Sequence, residues 1–171
     1  MNFMTVWFPI LLCVAGIIGG AWLSDLWSKH QGNKRYSRRN DLLGTWQSTW
    51  QEADDPIGWI TEEVEISVAK GRLQLVNSHS TGGYLWHGQC ELHDERYLYG
   101  HWRSRKPGAQ STGVFCFFAL PHGRVLVGQA FGLDPAGIPR NTDWILGREA
   151  KDLDSGKQWL SAHATHYRVG P

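Results

Sequence analysis

Beyond Asn40, apolar and polar residues alternate with a period of two, in short runs separated by Gly-, Pro- and Asp-rich punctuation. That pattern admits few folds, because a strand places successive side chains on opposite faces and so commits one face to a core and the other to solvent. Eight such runs are present: Gly44–Glu52, Ile57–Ala69, Arg72–His79, Tyr84–Leu92, Arg96–Ser104, Thr112–Leu120, Arg124–Phe131 and Thr142–Glu149. Most of the links between them carry residues that tight turns require, as in Asp54-Asp55-Pro56, Lys70-Gly71, Thr81-Gly82-Gly83, His93-Asp94-Glu95, Lys106-Pro107-Gly108 and Pro121-His122-Gly123. Consecutive hairpins imply an up-and-down meander. Eight strands close into a barrel whose interior is filled by side chains or holds one small ligand. The expected fold is all-β, with an antiparallel barrel over residues 44–150.

Alternation also sorts the faces. Trp46, Ser48 and Trp50 share one, as do Val64, Ile66 and Val68, and Tyr84, Trp86, Gly88 and Cys90. The sixth run, Val114-Phe115-Cys116-Phe117-Phe118-Ala119-Leu120, is apolar on both faces, so its outer side is expected to lie under the C-terminal segment, residues 151–171. Within that segment Asp152–Tyr167 reads as a short helix on the barrel exterior, with Asp154 or Ser155 as N-cap and Trp159 and Leu160 as its bulky apolar residues. Ten Trp and twenty Gly suit a twisted sheet with tight turns.

The first forty residues have a different character. From Thr5 to Leu23 there are nineteen residues without a charge, enough for a helix to cross a bilayer core, with Trp7 and Trp22 at the two ends where indoles favour the headgroup boundary. Residues 1–27 are therefore read as a transmembrane anchor and residues 28–43 as a basic juxtamembrane linker. A cleaved secretory signal needs basic residues ahead of the apolar run, and Met1–Met4 hold none. Cys13 lies mid-segment behind Leu12, which does not suit lipidation. Lys29, Lys34, Arg35, Arg38 and Arg39 all follow the run, so the expected topology is single-pass in a bacterial inner (plasma) membrane, N-terminus out and barrel cytoplasmic. Gly16 and Gly20 form a GxxxG pair that lets two such helices approach closely, which points to a homo-oligomer.

Little in the barrel supports catalysis. There is no Gly-x-Ser-x-Gly, no phosphate-binding loop of the Walker type and no basic-aromatic RNA motif, so a non-enzymatic role is expected. His163 and His166 are close enough on one helix face to share an ion, but two ligands do not make a site; His87, His93 and His101 lie on strands or turns. Cys13, Cys90 and Cys116 cannot all pair and fit a reducing compartment, so neither metal nor cofactor is expected. Acid pairs such as Asp54-Asp55 and Glu62-Glu63 are read as solvated surface. Nine Lys and Arg against twelve Asp and Glu between Gly44 and Glu149 make the barrel mildly acidic, which argues against a nucleic acid polymer as partner.

Aromatic side chains are the best candidates for holding a small ligand. Trp50, Tyr84, Trp86, Tyr99, Trp102 and Trp144 are suited to stacking on a flat base at about 1–3 kcal/mol each, with plain core filling as the alternative use of the same rings. In the polar connection Gly132–Thr142, Arg140 and Asn141 are suited to gripping a phosphate or a ribose.

Gly44-Thr45-Trp46 on the first strand and Arg148 on the last resemble the closing signature of lipocalin-like barrels, in which an early Trp packs beneath a late Arg. The whole layout, an anchor followed directly by a minimal eight-stranded barrel, resembles the transmembrane β-barrel effectors of cyclic-oligonucleotide antiphage signalling (CBASS) systems, with Gly44–Arg148 carrying the resemblance. Those effectors usually have two membrane helices, and here there is one apolar span. The resemblance implies that the barrel senses a cyclic nucleotide and that binding drives association in the membrane and its disruption. Two other functions fit the same residues: a lipocalin-like carrier of a small hydrophobic ligand on the outer side of the membrane, and a membrane scaffold whose partner docks on the outer face of strand six.

Overall fold

The computed structural model describes residues 41–51, 58–80, 84–134 and 136–167. Eight strands follow in order: β1 Gly44–Gln51, β2 Trp59–Ala69, β3 Arg72–Ser80, β4 Trp86–His93, β5 Tyr97–Ser104, β6 Thr112–Ala119, β7 Val125–Leu133 and β8 Pro139–Gly147. Each pairs antiparallel with its sequence neighbour, and β1 pairs with β8 through Gln47–Trp50 and Trp144–Gly147, closing an up-and-down barrel. Lys70 and Gly71, both at positive φ (53° and 75°), turn β2 into β3 in the two-residue manner that matches strand twist.

Two apolar layers result from the alternation. Inside lie Trp46, Val64, Ile66, Leu73, Leu75, Trp86, Cys90, Leu98, Phe115, Phe117, Leu126, Trp144 and Leu146. Outside, Val125, Val127 and Ile145 form a smaller cluster under helix α1, Ala150–Tyr167, together with Leu153, Trp159 and Leu160. Gly156 lets the helix sit close: a Cβ there would lie 2.5 Å from Ile145 Cγ2. Inward-facing glycines form the corners of the wall. A Cβ on Gly100 would lie 2.0 Å from the Gln89 carbonyl oxygen, and one on Gly128 would lie 1.9 Å from that of Cys116, so only glycine permits the strands to bend this sharply.

One end of the barrel is sealed. Leu42 is 1% exposed and accepts the Trp46 indole N–H on its carbonyl at 2.9 Å. Arg148 lies over the Trp46 ring, its Cζ 4.1 Å from the centroid, and donates to the carbonyls of Asp41, Thr45 (3.1 Å) and Leu43 (2.9 Å). The pair suggested by the lipocalin-like signature is thus in contact. At the opposite end, the rim, β1 leads to β2, β3 to β4, β5 to β6 and β7 to β8.

Three sequence expectations are corrected. The Gly132–Thr142 connection is a hairpin, because β7 and β8 stay paired out to Leu133 and Pro139. Its loop is tightened by Asp134, whose Oδ1 accepts the N–H groups of Ala136 (2.8 Å) and Ile138 (2.9 Å). Helix α1 begins at Ala150, ahead of the expected caps at Asp154 or Ser155, since Asp152 reaches back to accept the Glu149 N–H at 3.0 Å. The helix also covers less of strand six than expected: Trp159 reaches Phe118, with ring centroids 6.2 Å apart, while Val114 and its partner Phe131 remain 57% and 58% exposed. Seated by Gly156 over Ile145, an 18-residue helix of about 27 Å crosses β7 and β8 and runs out at that edge.

The expected anchor at residues 1–27, its Gly16 and Gly20, and the basic linker up to Asn40 lie outside the described residues. Among the described residues no helix is long and apolar enough to cross a membrane.

Candidate functional site

Strand β2 carries an acid on the wrong face for a surface residue. Glu62 is in phase with Val64 and Ile66, so it points into the barrel and is 4% exposed. Its carboxylate accepts hydrogen bonds from the Asn77 amide (2.7 Å), the Trp86 indole N–H (3.0 Å) and the Ser48 hydroxyl (3.5 Å), and Trp50 supplies a further side-chain hydrogen bond. Ser48 in turn accepts the indole N–H of Trp144 at 2.7 Å. One buried carboxyl therefore orients three tryptophans, two directly and one by relay. Burial pushes its pKa up to about 7, against the lowering effect of the four donors. Reading Glu62-Glu63 as surface acids missed this group. The signal was its parity with Val64, Ile66 and Val68.

Above and around this network the interior is filled. Trp86 and Trp144 are 6% and 5% exposed and meet edge to face with centroids 4.9 Å apart. Phe115 and Phe117 flank Trp144 at 5.7 and 5.1 Å. Of the aromatic candidates, Trp86 and Trp144 are thus core residues as packed, with no ring face turned to a ligand.

Four candidates lie toward the rim end of the barrel. Trp50 ends β1 half-buried, with Tyr84 edge-on at 5.6 Å. Trp102 points inward from β5 and lies across the paired glycines Gly113 and Gly132, its Nε1 2.8 Å from where a Gly113 Cβ would stand. Among the described residues no acceptor meets that buried indole N–H. Arg140, near the start of β8, pairs through Nε with Asp134 Oδ2 at 3.2 Å. Backbone donation from Ile138 and Ala136 and the Arg140 bond hold the Asp134 carboxyl below the ordinary range. Arg140 thus helps fasten the hairpin as well as facing the rim.

Tyr99 and Asn141 have the opposite parity and lie outside. With Gln89, His101, Val114 and Phe131 they line an outer groove of about 640 Å³. Cys116 lines the same groove and Cys90 faces the interior, so the two free thiols among the described residues sit on opposite sides of the wall; burial pushes the Cys90 thiol up to about 12. Among the described residues no three metal-ligating side chains converge, and His163 stacks on Trp159 with centroids 4.2 Å apart.

Comparison with family models and with curated proteins finds no match. Among solved structures, a de novo designed fluorescence-activating β-barrel is similar at 16% identity and a TM-score of 0.43, over 63% of this chain and 93% of that one.

Proposed function

We propose that this chain is a membrane-tethered, non-enzymatic recognition barrel whose rim binds a small flat anion of the cyclic-nucleotide type, with antiphage effector action through membrane association as the family resemblance implies. The observation that carries the reading is the unmet indole N–H of Trp102 at the rim. A buried donor without an acceptor costs about 1–3 kcal/mol, which a ligand carbonyl or phosphate oxygen placed there would recover. Trp50 and Tyr84 offer aromatic surface at the same end, and Arg140 offers a guanidinium if the ligand competes with Asp134 for it. The filled interior favours a rim ligand over a deeply buried hydrophobic cargo. The test is titration calorimetry of the full chain in lipid nanodiscs against cyclic di- and trinucleotides. Binding heat that falls in a Trp102→Phe variant supports the reading, and no heat from any of them at high micromolar concentration sinks it.

A second reading has its own observation. Tyr99, Val114 and Phe131 form an exposed apolar strip on β5, β6 and β7, 47–58% exposed, of the kind that receives a protein partner in a membrane scaffold. Loss of membrane-dependent self-association in a Val114→Asp variant that still binds nucleotide would favour it.

A further inference from the structure

On the outside of the wall a valley runs across the strands, from Gln89 on β4 to Asn141 on β8. Residues opposite one another in the sheet line its two banks: His101, Val114 and Phe131 stand in one cross-strand row, and Tyr99, Cys116 and Gln129 in the next. Between the rows passes Gly100, at one of the bends of the wall, and the valley encloses about 640 Å³. Its four strand spacings give it a length of about 19 Å. Tyr99, Val114 and Phe131 are exposed along it.

One bank is cationic where β4 meets β5. His101 lines the valley, and Arg103, two residues further along the same face, stands about 7 Å nearer the rim. Arg103 donates from Nε to Nε2 of the His87 ring at 2.9 Å, so a neutral imidazole holds the guanidinium in place. Arg72 and Arg140 pair with Glu91 and Asp134, but among the described residues no carboxylate meets Arg103. Burial first, and then the charges of Arg103, Arg105 and His101, pull the His87 pKa below its ordinary value, as happens where cations gather without a counter-ion. On the other bank Glu91 is engaged by Arg72 at 3.7 Å, and on β8 Asp143 accepts the Gln129 amide at 2.9 Å.

We propose that this valley is a lipid site, taking one acyl chain of an anionic phospholipid across the strands with the phosphate diester against His101 and Arg103. An acyl chain spans half of a bilayer core, about 15 Å, and fits the length available. Covering Val114 and Phe131 removes apolar surface from water, and a phosphate beside Arg103 supplies the charge-assisted bonds its guanidinium lacks. The site lies outside the wall and stands whether or not the rim binds a nucleotide. It assigns to lipid the strip that the scaffold reading gives to a protein, because the cationic bank calls for an anionic group directly beside an apolar chain.

Cys116 reports occupancy, since it stands exposed on the second bank. Cys90 is 2% exposed, with its thiol pushed up to about 12, and stays silent; Cys13→Ser removes the third thiol. Alkylation of the full Cys13→Ser chain by an uncharged water-soluble maleimide is timed at pH 8 in maltoside micelles carrying either dioleoylphosphatidylglycerol or the uncharged dioleoylglycerol. Phosphatidylglycerol should slow Cys116 roughly tenfold relative to dioleoylglycerol, and Arg103→Gln combined with His101→Gln should abolish the difference. Equal rates in the two lipids overturn the proposal, as does a slowing that the double substitution leaves untouched. Slowing that follows protein concentration at a fixed lipid-to-protein ratio also overturns it, since a second copy of the chain then covers the strip.

Discussion

Ionisation of Glu62 should make the stability of this barrel fall as pH rises through neutrality, which is unusual for an acidic side chain. An ordinary surface glutamate, titrating near 4.5, is ionised on both sides of the folding transition at pH 6; Glu62, pushed up to about 7 by burial, is not. Below pH 4.5 folded and unfolded chains both hold the proton and the contribution is fully present. Above it the unfolded chain releases the proton first, so folding is progressively penalised until the folded state also ionises near 7. At about 1.4 kcal/mol per tenfold difference in proton affinity the whole effect is about 3 kcal/mol, of which about 2.5 falls between pH 5 and pH 8. Urea unfolding of the full chain in mild detergent, followed by near-ultraviolet circular dichroism of the tryptophans, measures it. Glu62→Gln removes the titration with little change in shape. The variant should match the wild type near pH 5 and exceed it at pH 8, less whatever its amide N–H loses by facing other donors. His87 opposes the trend below its ordinary pKa, and because both proteins carry it, the difference between them isolates Glu62. Identical pH profiles for the two proteins would refute the reasoning.

Four further outcomes are expected. Trp102→Phe deletes an unmet donor, so melting curves should show the free barrel unchanged or up to about 1 kcal/mol more stable, while calorimetry shows nucleotide binding weakened roughly tenfold. Gly128→Ala drives a Cβ into the Cys116 carbonyl and should lower stability by about 3 kcal/mol in a urea melt. Arg148→Met removes three carbonyl contacts and the cation–π contact with Trp46, and the same melt should show a loss of about 2–4 kcal/mol. Val114→Asp alters a side chain that is 57% exposed, so stability should move by less than about 0.5 kcal/mol while sedimentation reports any loss of self-association.

The strands were legible because period-two alternation is imposed by strand geometry itself and survives without knowledge of partners. Trp46 and Arg148 were legible as a pair because closing a barrel end with one ring and one guanidinium leaves two recognisable residues at fixed places in the strand order. That β7 and β8 stay paired out to Leu133 and Pro139 was not, since whether a polar stretch pairs depends on backbone bonds that its side chains do not reveal. Glu62 was hidden by its chemistry: charge suggested the surface, and only its phase with Val64 and Ile66 spoke for the interior. The stacking candidate Tyr99 and the phosphate or ribose candidate Asn141 fell outside for the same reason, because parity, not residue type, decides which side of the wall a side chain joins.

Arg148 belongs to the turn after the last strand yet grips the carbonyls of Asp41, Leu43 and Thr45 where the chain enters the first. A tug on the N-terminal side of Asp41 is therefore shared between both ends of the sheet, as tension on a belt is shared across its buckle. Whatever that side of the polypeptide is fastened to, strain arriving there is carried around the whole hoop instead of peeling β1 away from its neighbours.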